Sequence, residues 1–595
     1  MNDQLSEKAK IDSASEFIRP TLSFETITFS DGTTLTLDAD DIVVFVGPNN
    51  AGKSATLREL EAWVARSTGG VVVTSATLKK NGTVDDFRAF LEQNAQKHGK
   101  PGEVHYGGIG YNIRYDHLHF FDQPRDRHPV APFFTKRLPT ESRIGDSNPA
   151  PATALFSAPP SHPIHLLLMD EELTADISEK FRHAFGKDLT PFRAGGSIFP
   201  LYVGTKPILK PGKNELSREF VDELLRTNVP LERQGDGMRS FAAVLLHVLA
   251  AKTHSIQFLD EPEAFLHPPQ ARLLGRYIAE SRREKSQLFI ATHSTDVLDG
   301  LIEGGLNKIR IVRIRRDGNV NRVKELGKDQ TRVIAKDTLT RFSRVFEGIF
   351  FEHVVVCESD ADCMFYQSVL NIPSLSGDRR PDVLFVHTAG KHRMAKLADT
   401  LHALDVPVSV ITDIDIVSEE NTFKRLIESV GGHWPDIHPH WKAVSDTVIS
   451  KRPPLSAAQV AKMIADEIEG VTGTGDFPSG KENAIKRIFK TVSPWSALKQ
   501  SGRMALPGGE TIRQFDQLLE KCASLGLWIV PVGEIEGFCR SIGSHGPGFV
   551  EKVLEERDLE TDGELNEARE FVRKLWQRAQ PREASGSELI NPMQP

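Results

Sequence analysis

The first clear signal along the chain is alternation. Thr21 to Leu37, TLSFETITFSDGTTLTL, alternates apolar and polar residues around Asp31-Gly32 and predicts a β-hairpin. Asp41 to Gly47, DIVVFVG, is an apolar run of strand length that leads directly into a Gly-rich loop. From about residue 81 to 211 the pattern weakens, and Pro-rich stretches such as Ser147 to Pro163 read as loop, so an insertion or arm is expected there. Strong patterning returns at Gly235 and holds through a second hairpin, Arg310 to Val323, with Asp317-Gly318 at its turn. Strand edges often carry charge as protection, so its basic residues predict a solvated edge closing the sheet. Two further buried strands follow, HVVVCE from His353 and PVSVITDID from Pro407 to Asp415. A helix-rich stretch over about 425–520, including Leu455 to Gly470, separates them from an apolar strand at Leu527 to Phe538. The expected architecture is therefore α/β, with one domain over 1–345, a second over 346–582 and a frayed tail over 583–595 that is rich in Ser, Pro, Glu and Gln.

Composition narrows the class. The 595 residues are 39% hydrophobic and 26% charged, ordinary for a globular protein and unlike a disordered or collagen-like chain. The opening MNDQLSEKAK lacks the apolar core of a secretory signal, and the longest apolar run, Phe241 to Ala251, contains His247 and is too short to span a bilayer. Cys357, Cys363, Cys522 and Cys539 form no C-x-x-C pair, which argues against a zinc ribbon or disulfide scaffold and fits a reducing cytoplasm. His117-x-His119 and His438-Pro439-His440 have no spaced partners for zinc. The net charge of −8 leaves nucleic acid open as a partner, because a local basic groove binds phosphate whatever the total.

Two sets of residues carry chemistry. Gly47-Pro48-Asn49-Asn50-Ala51-Gly52-Lys53-Ser54 fits G-x-x-x-x-G-K-[ST] between a strand and a helix: backbone N–H groups wrap phosphates, Lys53 reaches the β- and γ-phosphates, and Ser54 ligates Mg²⁺. IQFLDEPEAFLHP ends a strand at Asp260-Glu261, where Asp260 would hold Mg²⁺ and Glu261 polarise the attacking water of ATP hydrolysis. QLFIATHS ends at His293, placed to contact the γ-phosphate, and Gly235 to Ser240 is a Gly-rich turn opening an apolar helix. Together these resemble the ABC-type ATPase heads of the structural-maintenance and recombination-repair class. That resemblance implies a head-to-head homodimer or higher homo-oligomer in which Gly237 and Ser240 meet the other copy's ATP, although the turn departs from the usual L-S-G-G-Q.

The second set is acidic. Glu358 ends a strand and Asp362 lies four residues on, a helical spacing that lets the two converge. Asp413 and Asp415, at i and i+2 of a strand, point to one side. Carboxylates gathered in this way repel unless cations sit between them. The glutamate strand, the FVHTAGK turn at Gly390 and the D-x-D strand resemble a Toprim domain, in which such residues bind divalent metal; Ser359 stands where that family often has Gly. An ABC-type head followed by Toprim resembles the OLD (overcoming lysogenization defect) family of ATP-dependent endonucleases, and the late V-G-E-I-E-G-F and H-G-P-G-F-V segments its Gabija-like class. The resemblance implies cleavage of DNA with Mg²⁺ or Mn²⁺ under nucleotide control, in defence against phage, beside a partner (UvrD-like) helicase. It implies one metal at Glu358, Asp413 and Asp415 and a second nearer Asp362, with Glu534 or Glu536 as the late acid and Lys552 as the late lysine. The alternatives are a repair or recombination ATPase whose Toprim only binds DNA, and a topoisomerase-like enzyme with a tyrosine nucleophile.

Overall fold

A computed structural model of the chain describes residues 18–579, apart from 101, 155–157, 159, 251–253, 282–284, 328–330, 332–344, 377–379, 389, 451–456, 472–475 and 493–494. The N-terminal decapeptide and the 583–595 tail lie outside the described residues. No helix among them is long and apolar enough to cross a membrane. The chain forms two compact units, residues 1–336 and 337–595.

The first unit is built on a six-stranded sheet in the order Val320–Leu326, Ile309–Asp317, Ile42–Val46, Gln287–Ala291, Ile256–Asp260, Thr135–Leu138. All neighbours are parallel except the first two, which form the basic hairpin turning at Gly318. Its central strands are apolar because they are buried throughout, one face lying under strand Thr21–Phe29, through Phe24 on Phe289 and Phe29 on Phe45, and helix Lys53–Arg66. The Asp31-Gly32 hairpin forms as expected, Thr21–Phe29 pairing with Thr34–Thr36, and Val73–Asn81 joins as a third antiparallel strand.

The stretch 81–211 is not wholly an arm. It also supplies the edge strand Thr135–Leu138, whose TKRL sequence lacks an apolar run because only its two end residues are buried. Helices Pro268–Glu280 and Thr295–Gly305 cross at glycines: a Cβ on Gly300 would stand 2.0 Å from the Arg272 carbonyl oxygen, and one on Gly275 would stand 2.4 Å from that of Val297.

The second unit holds a four-stranded, wholly parallel sheet in the order Val383–His387, His353–Cys357, Val408–Thr412, Leu527–Ile529. The last two strands are adjacent in space, and all the helices between Glu420 and Leu525 are inserted between them in sequence. Aromatic residues Phe365, Phe538, Phe549 and Phe571 pack beneath its helices in one core.

Because the Gly300 crossing brings backbone against backbone, neither helix can yield to a new side chain. Gly300→Val is expected to destabilise the first unit by about 1–3 kcal/mol, read as a lowered thermal midpoint with ATP absent.

Candidate functional site

The nucleotide loop turns between strand Ile42–Val46 and helix Lys53–Arg66. Gly47 has φ +139°, and a Cβ there would meet the Ile314 carbonyl oxygen at 2.0 Å, so only glycine fits. Gly52 caps the helix in the left-handed region, and the preceding Ala51 carbonyl accepts from Asn321 Nδ2 at 2.6 Å. Lys53 Nζ, nearly buried, donates to the Gly47 and Pro48 carbonyls at 2.8 Å each. Burial pulls its pKa down to about 8 against the raising pull of Glu261, Glu263 and Asp260. Ser54 Oγ donates to Asp260 Oδ1 at 2.8 Å, so the hydroxyl and carboxylate assigned to Mg²⁺ stand together, and burial raises the Asp260 pKa. His293 Nε2 lies 3.2 Å from Glu261 Oε1. Burial, with Lys53 adding to it, drops the His293 pKa to about 4, so this imidazole is neutral at physiological pH.

Glu263, the second glutamate of the D-E-P-E string, has a role that its place in the string left unread. It is half-buried, and its Oε1 accepts from Thr292 Oγ1 at 2.7 Å and His293 N at 2.9 Å, locking the two loops together. The Gly-rich turn differs from expectation: helix Asp236–Ala250 already includes Gly237 and Ser240. Ser240 is fully buried, and a Cβ on Gly237 would stand 2.7 Å from the Phe265 carbonyl, so neither presents a surface hydroxyl or a free loop.

In the second unit the acids gather at the C-terminal edge of the parallel sheet. Glu358 follows strand His353–Cys357 directly, not on the helix, and its Oε1 accepts from Thr412 Oγ1 at 3.4 Å. Asp362 is the third residue of helix Asp360–Leu370 and closes a capping box with Ser359, whose hydroxyl accepts from Asp362 N. That cap explains a serine where the resembled family often has glycine. Asp413 and Asp415 converge by a route other than the predicted one, since the strand stops at Thr412 and a 3₁₀ turn over Ile414–Ser418 carries them.

The lysine among these acids is Lys499, not Lys552. Lys552 stands exposed on helix Pro547–Glu556. Lys499 Nζ, from helix Ser496–Ser501, lies 3.3 Å from Asp415, 3.6 Å from Asp413 and 3.6 Å from Glu534. Burial works against its charge, and Asp415, Asp413 and Glu534 override that and raise its pKa. Lys391, after the Gly390 turn, adds a second ammonium 3.5 Å from Asp415 and 2.7 Å from Glu419. Glu534, Glu536 and His545 have ligand atoms within 4.8 Å of one another. Burial first, then Asp415 and Asp362, raise Glu358 to about 7; burial also raises Asp362, Asp413 and Glu534.

The phosphate loop, the Ser54–Asp260 pair and Glu261 give the first unit the arrangement of an ATPase domain. Residues 42–299 match the family described as "AAA domain, putative AbiEii toxin, Type IV TA system". Over 256 residues the chain is 23% identical to the Old nuclease of Escherichia phage P2, an alignment covering 38% of this chain and 42% of that protein. The chain thus spans less than half the length of this curated relative, to which it is distantly similar. Among solved structures, the SMC head domain from Thermotoga maritima is 12% identical with a TM-score of 0.26, covering 52% of this chain and 99% of that one. An SmcHead bound to the C-winged helix domain of ScpA is 12% identical with a TM-score of 0.33, covering 53% of this chain and all of that one.

Only the protonated Lys53 pairs with phosphate, and a bound phosphate raises its pKa further. The dissociation constant for ADP is therefore expected to be flat below about pH 7 and to weaken as pH rises through about 8, as followed by calorimetry.

Proposed function

We propose that the chain is an ATP-binding and ATP-hydrolysing, metal-dependent DNA endonuclease that nicks or cleaves phosphodiester bonds in defence against phage. One observation carries this reading: Glu358, Asp362, Asp413, Asp415, Glu534 and Glu536 gather at the ends of three neighbouring parallel strands, with Lys499 and Lys391 among or beside them. The order of glutamate strand, Gly390 turn and D-x-D strand on a parallel sheet supports a Toprim-type domain.

The donor set suits Mg²⁺ or Mn²⁺, hard cations that take oxygen ligands. Two buried polar atoms in this region, Asp415 Oδ1 and the Tyr366 hydroxyl, have no hydrogen-bond partner among the described residues, and Asp362, Asp413 and Glu536 act electrostatically on Tyr366. Glu358, Asp413 and Asp415 would hold one cation, and Asp362, Glu534 and Glu536 a second. Bound there, the cations supply the Lewis acidity for in-line attack of water on phosphorus. Burial and the neighbouring acids hold Glu358 up at about 7, so a cation taken up there would displace a proton. Lys499 holds Asp413, Asp415 and Glu534 together and gives an approaching phosphodiester a positive partner.

A topoisomerase-like reading is disfavoured in this unit, because its only tyrosine is Tyr366, which is 1% exposed. A purely DNA-binding reading leaves the gathered, half-buried acids without a purpose. In the first unit ATP and Mg²⁺ would be held by Gly47 to Ser54 and Asp260, with Glu261 and His293 at the γ-phosphate. A homodimer or higher homo-oligomer, a cytoplasmic setting and a partner helicase complete the proposal.

Glu358→Ala, and separately Asp413→Ala with Asp415→Ala, should lower nicking of supercoiled plasmid in Mn²⁺ by on the order of 100-fold or more. ATP turnover should stay near the parent value in both. A double aspartate variant that cuts plasmid at the parent rate refutes the assignment.

A further inference from the structure

Glu261, the residue assigned to polarise water, has a backbone that no local preference supports. Its φ is +45°, left-handed for a residue with a Cβ, and Pro262 follows it, which narrows the choices further. Such a conformation persists only where its surroundings impose it.

Arg143 imposes it. This side chain is among the largest fully buried ones of the described residues, at 1% exposure, on the short helix Thr140–Arg143 just after the edge strand. Its Nη1 donates to the Asp260 carbonyl at 3.0 Å and its Nη2 to the Glu261 carbonyl at 2.7 Å, while Thr140 Oγ1 donates to the Asp260 carbonyl at 2.9 Å. Those two carbonyls belong to the peptide planes on either side of the Glu261 Cα. Their orientations set its φ and ψ, so one rigid guanidinium fork fixes both. The Glu261 N–H is held separately by the Ala291 carbonyl at 2.8 Å.

Two facts argue against packing as the reason for this arginine. It makes no ion pair within 4 Å among the described residues, and its Nε, also buried, has no partner. A buried cation that hydrogen-bonds only to carbonyls, with Glu263, Asp260 and Glu261 acting on it through space alone, is costly to keep, and a stability role would be better filled by an apolar side chain. The fork is also delivered from a fixed base. Just beyond it, Ser147 Oγ and Asn148 Oδ1 accept from Arg239 at 3.1 and 3.0 Å, and Asp146 meets His247 at 2.6 Å, both on helix Asp236–Ala250.

We propose that Arg143 is a positioning residue for ATP hydrolysis: by gripping the carbonyls on both sides of Glu261 it holds that carboxylate in the orientation that acts on the attacking water, without contributing to nucleotide affinity. This rests on the assignment of Glu261 above. A lysine would offer both carbonyls a single rotating ammonium, whereas the planar guanidinium presents two N–H groups in a fixed relation, so the fork holds their orientations more rigidly.

The test measures single-turnover ATP hydrolysis and nucleotide affinity for the full chain, its Arg143→Gln and Glu261→Gln variants, and the double variant. Arg143→Gln should slow hydrolysis by roughly tenfold or more with the dissociation constant for ATP within about threefold of the parent. In the Glu261→Gln background it should cause no further loss, because the group it positions is already inactive. Losses that multiply in the double variant, an unchanged rate in Arg143→Gln, or affinity falling in step with rate would overturn the proposal. If Arg143→Gln fails to fold, Arg143→Lys carries the same test with a smaller loss of rate. A parent-like rate in Glu261→Gln alone would instead sink the assignment of Glu261, a result separable from the others.

Discussion

Everything at both sites follows from one electrostatic constraint: parallel strands that end in carboxylates bring like charges together where water is scarce. Two unit charges 4 Å apart at a protein's effective dielectric interact by about 4 kcal/mol, so several acids at one edge cannot all stay charged without a cation nearby. The first unit meets the constraint with Lys53 among Asp260, Glu261 and Glu263. The second meets it with Lys499 and Lys391 and by raising the pKa of Glu358, Asp362, Asp413 and Glu534. Those are the properties of groups waiting for a divalent ion or a proton.

Close backbone approach then determines where each cation stands. Gly533, at φ +111°, has no room for a Cβ, because the Lys499 carbonyl would stand 2.0 Å from it. The Gly533 carbonyl in turn accepts from Ile414 N at 3.0 Å, beside Asp413. One glycine thus brings together the loop after strand Leu527–Ile529, the helix bearing Lys499 and the turn bearing Asp413 and Asp415. The Gly47 contact with Ile314 does the same for the phosphate loop, fixing it against the hairpin strand. In both units the chemistry stands on loops whose geometry is set by a rigid parallel sheet.

Much of this was legible in the chain itself, for a physical reason. Gly47 to Ser54, Asp260-Glu261 and Glu358 each follow a short, mostly apolar run, interrupted only by Gln257 and His353, and a strand buried on both faces announces itself by its scarcity of polar residues. What escaped reading depends on distance in the fold. Lys499 lies in a helical insertion, and nothing in its spacing records that Gly533 will dock against it. Arg143 sits in the 81–211 stretch where periodicity fades, and the strand before it, Thr135–Leu138, carries two charged residues because it is an edge. Glu263 stood inside a string already singled out, yet its role needs the Thr292 hydroxyl on the next strand. Ser240 illustrates the opposite error: a Gly-rich turn suggested an exposed contact, but the helix begins earlier and buries the side chain.

The central claim, that the acids of the second unit form a divalent-cation centre, is tested most directly by titrating Mn²⁺ into the nucleotide-free chain bearing Lys53→Ala, with and without Asp413→Asn and Asp415→Asn, by calorimetry and Mn²⁺ electron paramagnetic resonance. Saturable binding that the two asparagine substitutions abolish is the result this account predicts. Equal Mn²⁺ binding by both proteins, or none by either, would contradict it.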